Sequence, residues 1–437
     1  MIDRTISPDV FDFESLSIRH PNEFFLDNGV RIVNLEMGEQ PVTRLTVKWD
    51  NGRADCDSDV RFIMMYKLLR EGTRSFSAEE ISNTLEFNGT WLGVDPSDHS
   101  GAVSLYSLNS CFDKVFPTFM EIITAPAFPE RAVALIGEKS AAAELLQHKK
   151  VSYLASRLDR SLIFGENHPM ARRVNPDDYR DVTSSQIAEL FARSIAANTP
   201  TVYICGQTAP ILQNVCEAFS ALTFQGDPIK EKILPPVLSE ERFKYQKLDG
   251  SLQSALNISI PTIPRSHPDY IPLRYAIMAL GGYFGSRLMK NIREDKGYTY
   301  GISAYLLGFR ETGQIIISTQ TDNQYAVPVV EEVLKEIERL KTVPLSDNEM
   351  KAFRRHALST LAGMLDSPFT VMDHFISLDT NNIAPDYYEE QFRIIKSLNP
   401  DDISRVASRY LPHDNIRISL AGHLTPGQIS SLPSLLP

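Results

Sequence analysis

The sequence predicts an α+β fold built twice: two similar domains of about 210 residues, each a mostly antiparallel sheet with helices packed on one face. Three observations carry this. Residues 182–206 (VTSSQIAELFARSIAANTPTVYICG) and 398–422 (LNPDDISRVASRYLPHDNIRISLAG) share one pattern at an offset of 216, with no gap. Residues 101–123 and 313–338 repeat a strand followed by a helix at an offset of about 211–212. Strands and helices also interleave without the regular βαβ rhythm of a dinucleotide-binding fold.

Each element has a local reason. In the later echo, a Ser/Thr/Asn/Asp-rich cap opens a helix with apolar residues at helical spacing: Ile187, Leu190 and Phe191, then Ile403, Val406 and Tyr410. A short alternating strand follows and ends in Gly206 or Gly422. In the earlier echo, Pro117 answers Pro328 near the expected start of each helix, where a missing N–H costs nothing. Strands are expected at 30–36, 43–49, 101–108 and 201–205, then at 253–260, 301–307, 313–320 and 416–421. Helical segments are expected at about 129–164 and 345–378. The domains are placed at 1–225 and 245–437, joined by a linker at 226–244 whose prolines and alternating charges suit an extended chain. A solenoid is excluded, because its repeats run about 20–50 residues.

Composition bounds the function. The 437 residues are 43% hydrophobic and 23% charged, an ordinary globular balance that excludes collagen, a disordered tail and a disulfide scaffold. No apolar run approaches the ~18–20 residues of a membrane helix. The N-terminal MIDRTISPDVFDFE has acids where a signal peptide is basic and apolar, so a cytoplasmic chain is expected. The net charge of −11 argues against general nucleic-acid binding. Cys56, Cys111, Cys205 and Cys216 form no C-x-x-C pair and suit buried thiols in a reducing compartment.

The usual catalytic signatures are missing. No two of the nine histidines sit at i, i+4, the spacing that puts two imidazoles on one helix face for zinc. There is no G-x-S-x-G elbow and no P-loop. Gly281-Gly282-Tyr283-Phe284-Gly285 resembles a phosphate loop only loosely, without the Gly-Lys-Ser/Thr ending.

One segment stands out, LGGYFGSRLMKNIREDKGYTYGISAY at 280–305. A glycine turn leads to a cationic helix, stopped at Lys296-Gly297, and then to a strand rich in tyrosine. Arg293 and Tyr300 sit seven residues apart across that junction. Five guanidinium donors and a phenol suit a carbonyl or carboxylate. The plainer alternative is a solvent-facing arginine and a packed tyrosine.

This segment resembles the C-terminal signature of the zinc peptidases typified by pitrilysin, insulin-degrading enzyme and mitochondrial processing peptidase. Leu280, Gly281, Gly282, Ser286, Arg287, Leu288, Ile292, Arg293, Glu294, Gly297 and Tyr300 fit it. DNGVRIVNLE (27–36), REGTRSFSAEEISNTLEFNGT (70–90) and IFGENHP (163–169) look like further pieces, so the resemblance covers most of the chain. It implies paired α+β domains and a zinc motif, H-x-x-E-H, shortly before a Gly-Thr. Aligned on Gly72-Thr73, the motif positions read Ile63-Met64-Met65-Tyr66-Lys67. Both histidine positions (Ile63, Lys67) and the base position (Tyr66) are degenerate. Glu144 stands where a third ligand is expected, and a lone carboxylate cannot hold catalytic zinc.

The resemblance further implies that Arg293 and Tyr300 reach into another subunit's zinc site to hold peptide and stabilise an oxyanion. The chain would then be a non-catalytic, substrate-binding subunit of a heterodimeric zinc endopeptidase. It would bind no metal itself; zinc would lie in a homologous partner, and peptides or unfolded segments would be the substrates. No nucleic-acid or membrane partner is expected. The alternatives are an inert peptidase-like scaffold and a self-sufficient enzyme of unrecognised chemistry.

Overall fold

The computed structural model describes residues 15–436. The N-terminal segment used to argue against a signal peptide therefore lies outside the described residues. No helix among the described residues is long and apolar enough to cross a membrane.

Two mixed sheets organise the chain. The first holds β1 (Asn22–Phe25), β2 (Arg31–Glu36), β3 (Val42–Trp49), β4 (Trp91–Pro96), β5 (Gly101–Leu108) and β6 (Thr201–Gly206), in the order β1-β2-β6-β3-β5-β4. The second holds β7 (Phe243–Lys247), β8 (Gln253–Thr262), β9 (Thr299–Gly308), β10 (Gly313–Asp322) and β11 (Arg417–Gly422), in the order β7-β11-β8-β10-β9. Apart from β1 the two orders correspond strand for strand. Each sheet has one parallel pair, β2 with β6 and β7 with β11, and is otherwise antiparallel. The glycines that close the later echo are sterically required. A Cβ on Gly206, at φ +113°, would lie 2.1 Å from the Val42 carbonyl oxygen, and one on Gly422 would lie 2.1 Å from Ser254 Oγ.

Each expected long helical segment is broken in two. The first divides into Glu130–Gln147 and Val151–Phe164, the second into Asp347–Gly363 and Pro368–Thr380. The breaks let the second helix of each pair cross to the other half. Val151–Phe164 packs on β7, β8 and β11, while Pro368–Thr380 packs on β2 and β6. Helices thus lie on both faces of each sheet, where one face was expected. The half's own helices cover one face, and a helix from the other half covers part of the second. Residue alternation records this. Ile32, Val202 and Ile204 belong to the first core, while Val33, Leu35, Tyr203 and Cys205 join the core of the second half. Likewise Ala255 and Ala421 pack with Val151, Leu154 and Ala155. That second face is small and polar (Ala255, Asn257, Ser259, Ser419), which reads in sequence as a solvated face.

The crossing helices are pinned by polar groups. Arg31 donates from Nη1 to both carboxylate oxygens of Asp379 at 2.8 Å, and Tyr203 donates to the same carboxylate. In the other crossing, Asp159 accepts from Ser259 Oγ and from Gln314 Nε2, each at 2.6 Å. Burial raises the Asp159 pKa, and these two bonds only partly offset it.

Three expectations need correction. Pro117 lies inside the Asn109–Thr124 helix rather than in its first turn. That helix and its counterpart Ala326–Thr342 begin 217 residues apart, so Pro117 and Pro328 are not equivalent. Phe243 and Lys244, assigned to the linker, open β7, because their backbone pairs with Ile418 and Ser419. Cys111 and Cys216 are half-buried on helices, whereas Cys56 and Cys205 are buried; all four thiols are free.

Candidate functional site

The degenerate motif lies on the Asp59–Leu68 helix, capped by Ser58. Ile63 is half-buried there. Tyr66 is fully buried, tilted against Phe62 at 5.1 Å between ring centroids. Its ring presses on Gly101, where a Cβ would lie 1.9 Å from the hydroxyl, and that hydroxyl has no hydrogen-bond partner among the described residues. Lys67 donates from Nζ to Ser140 Oγ at 3.0 Å and sits 5.9 Å from the Tyr179 ring centroid. Desolvation lowers its pKa, while the charge of Glu144 pulls the other way.

Glu144 is itself engaged. It accepts from the Tyr153 hydroxyl and lies 3.1 Å from His148 Nε2, which in turn lies 2.9 Å from Arg157 Nη1. Burial first, and then this contact with Glu144, raises the Tyr153 pKa. These groups do not suit a zinc ion: an alkyl chain, a buried phenol and an ammonium stand where two imidazoles and a carboxylate would be needed. Among the described residues, no three His, Cys, Asp or Glu side chains are grouped to hold a metal.

Arg293 and Tyr300 lie in the second half. Arg293 sits on Met289–Asp295, which is wound as a π-helix, a form frequent at functional sites. Polar anchors fix that segment against the Ala326–Thr342 helix. Asn291 Nδ2 donates to Glu332 and Glu336 at 3.1 and 2.8 Å, and Lys296 pairs with Glu332 at 2.8 Å. Burial pushes the Glu332 pKa up, but its bonds with Lys296, Lys335 and Asn291 win and hold it at about 2. Just upstream, Arg287 is buried and bonded to Glu349 Oε1 (3.1 Å) and to the carbonyls of Arg339 and Pro344. Arg287 is therefore a structural clamp, and Arg293 projects from the segment it secures.

The Arg293 guanidinium carbon stands 4.6 Å from the Phe284 ring centroid and 5.8 Å from that of Tyr300. Among the described residues it has no carboxylate partner. Tyr300 is 94% exposed, and its hydroxyl has no hydrogen bond among the described residues. A β-bulge sets its position, since Tyr300 and Gly301 of β9 together oppose Gln320 of β10. Threonine hydroxyls latch the bulge. Thr299 donates to the Gln320 carbonyl at 2.6 Å, Thr319 to the Gly301 carbonyl at 2.8 Å and Thr321 to the Tyr298 carbonyl at 2.5 Å.

The structure brings Arg293 and Tyr300 together, and it places Lys67 near Ser140 and Glu144. The two sets lie in different halves and share no bond or ring contact among the described residues. The Val151–Phe164 helix links their surroundings: Tyr153 and Arg157 face the Glu144 cluster, while Ser152 and Ser156 line a cleft that reaches Tyr300. Sequence reading missed Phe284 as the second aromatic on Arg293, although it lies in the glycine turn already singled out.

Comparison with known proteins agrees with this architecture. Residues 181–356 match the family described as the Peptidase M16 inactive domain. The non-peptidase homolog YmxG of Helicobacter pylori is 25% identical over 284 residues, 62% of this chain. The match spans 63% of that relative, under two thirds of its length. Over residues 181–356 the chain is similar to M16 peptidases. Its fold agrees with that of solved M16-type proteins. A crystal structure of an M16 inactive domain from Pseudomonas fluorescens has a TM-score of 0.83 at 21% identity, covering 93% of this chain and 98% of that one. The periplasmic protease PqqL of Escherichia coli has a TM-score of 0.77 at 13% identity, and this chain covers 49% of it.

Proposed function

We propose that this chain is the non-catalytic, substrate-holding subunit of a two-chain zinc endopeptidase acting on peptides or unfolded segments. Arg293 and Tyr300 supply hydrogen-bond donors to a substrate carbonyl in the zinc site of a homologous partner. One observation carries the reading: the fold fixes the backbone that presents both donors, and among the described residues neither side chain meets an acceptor. An oxyanion is stabilised best by donors positioned before the reaction begins. Peptide pairs with the open edge of β9, because backbone pairing selects for extended, flexible chains rather than for sequence. That PqqL is about twice this length fits an assembly in which a second unit is needed, and the cytoplasm is the compartment expected for this one.

A second reading, an inert peptidase-like scaffold, draws on the unsuitable zinc-motif positions and on the relative named a non-peptidase homolog. A peptidase assay separates the two. This chain, a homologue bearing H-x-x-E-H, and their mixture are each assayed on an unstructured reporter peptide, with and without chelator. Chelator-sensitive cleavage mainly in the mixture supports the split site. A silent mixture, or a partner equally active alone, moves the scaffold ahead.

A further inference from the structure

We infer that the cleft beside Tyr300 is a subsite for a peptide side chain that is uncharged and hydrogen-bonding, a glutamine or asparagine carboxamide. The inference deepens the substrate-holding reading and rests on it. The cleft has a volume of about 470 Å³, within the range of small-ligand sites. It lies between the crossing helix and the polar face of the second sheet. Ser152 and Ser156 come from the helix, Asn257 from β8, Ser303 from β9, and Ser318 and Gln320 from β10. No charged residue lines it, and Tyr300 stands at the β9 side.

The wall chemistry selects the occupant. A charged side chain would lose its hydration with no counter-charge to meet it. An alkyl side chain would cover hydroxyls and amides without bonding them. Asn257 sharpens the choice: it is 3% exposed, it lines the cleft, and its Nδ2 has no hydrogen-bond partner among the described residues. An N–H donor left in that state calls for a carbonyl oxygen. A carboxamide side chain provides one, and its own NH₂ can donate to the surrounding serine oxygens.

The test is fluorescence anisotropy on this chain alone, with one labelled unstructured peptide carrying Gln, Glu, Lys or Leu at a central position. The Gln peptide should bind about tenfold or more tightly than the Glu or Leu peptide, since a site built for hydrogen bonds rejects groups that cannot make them. Asn257→Leu should abolish that preference. Ser156→Asp, at an exposed helix position that leaves the core untouched, should shift preference to the Lys peptide even if Asn257→Leu does not fold. Equal binding of all four peptides, binding of none, or a Gln preference that survives Ser156→Asp overturns the subsite. The assay contains no partner, so a Gln preference with a silent two-chain mixture refutes only the split-site reading. An active mixture with no preference refutes only the subsite.

Discussion

Arg293 and Tyr300 meet across a π-helical turn and a β-bulge, the guanidinium carbon 5.8 Å from the phenol ring centroid. A π-helical turn and a β-bulge bring two donors seven residues apart to one place, with Phe284 as a second ring beside the cation. A cation held against aromatic rings loses rotational freedom without losing its donors.

If the bulge aims Tyr300, loosening its latch should reduce activity more than stability. Thr321→Val removes the hydroxyl bonded to the Tyr298 carbonyl. One such bond is worth about 1 kcal/mol, so kcat/KM of the two-chain mixture should fall roughly fivefold. The circular dichroism melting curve should stay nearly in place. An unchanged kcat/KM would mean that the bulge does not aim the phenol.

The Tyr66 hydroxyl is buried without a partner, so it contributes nothing to offset its desolvation. Tyr66→Phe should leave stability unchanged or raise it by about 1 kcal/mol. Urea unfolding measures this directly. Tyr66→Glu, which restores the lost base position, should be strongly destabilising, because it buries a carboxylate in the same core.

The crossing of helices between halves makes stability depend on a few polar pairs. Asp379→Ala leaves Arg31 and Tyr203 facing each other without the carboxylate they share. The site is partly solvated, so the cost should be about 2–3 kcal/mol, below that of a fully buried pair. A double-mutant cycle with Arg31→Ala should show strong coupling, since the two residues are in contact.

Asp159 sets a pH dependence. Its folded pKa is raised above the ordinary 3.8, chiefly by burial, so the folded state holds this proton to higher pH than the unfolded chain does. The stabilisation is complete below the unfolded pKa and is lost as pH rises through the folded one. The stability of the native chain relative to Asp159→Asn should therefore fall as pH rises above the ordinary carboxylate value of about 4. Urea midpoints across that range measure it, and a difference independent of pH would contradict the assignment.

Much of the fold is legible in the sequence because the duplication repeats local signals. The strands at 101–108 and 201–205 and the two glycine stops follow from alternation and from steric necessity. The crossing helices were hidden because nothing marks the Lys149-Lys150 break as a stop, although Ser367-Pro368 is a helix start that sequence alone offers. Alternating Ala255, Asn257 and Ser259 look like a solvent face until a helix from the other half lies on them. At the site, the Arg293–Tyr300 spacing was visible, whereas the threonine latch was not. It depends on register between β9 and β10, which no local pattern encodes.

The most direct test of the split site is the kcat/KM of the two-chain mixture with Arg293→Ala, with Tyr300→Phe and with both. Removing one positioned donor costs about 2–4 kcal/mol in comparable oxyanion sites, so each single variant should lose roughly a hundredfold. The partner's zinc content and the affinity between the chains should not change. Full activity in the double variant would contradict the account and leave the chain a scaffold.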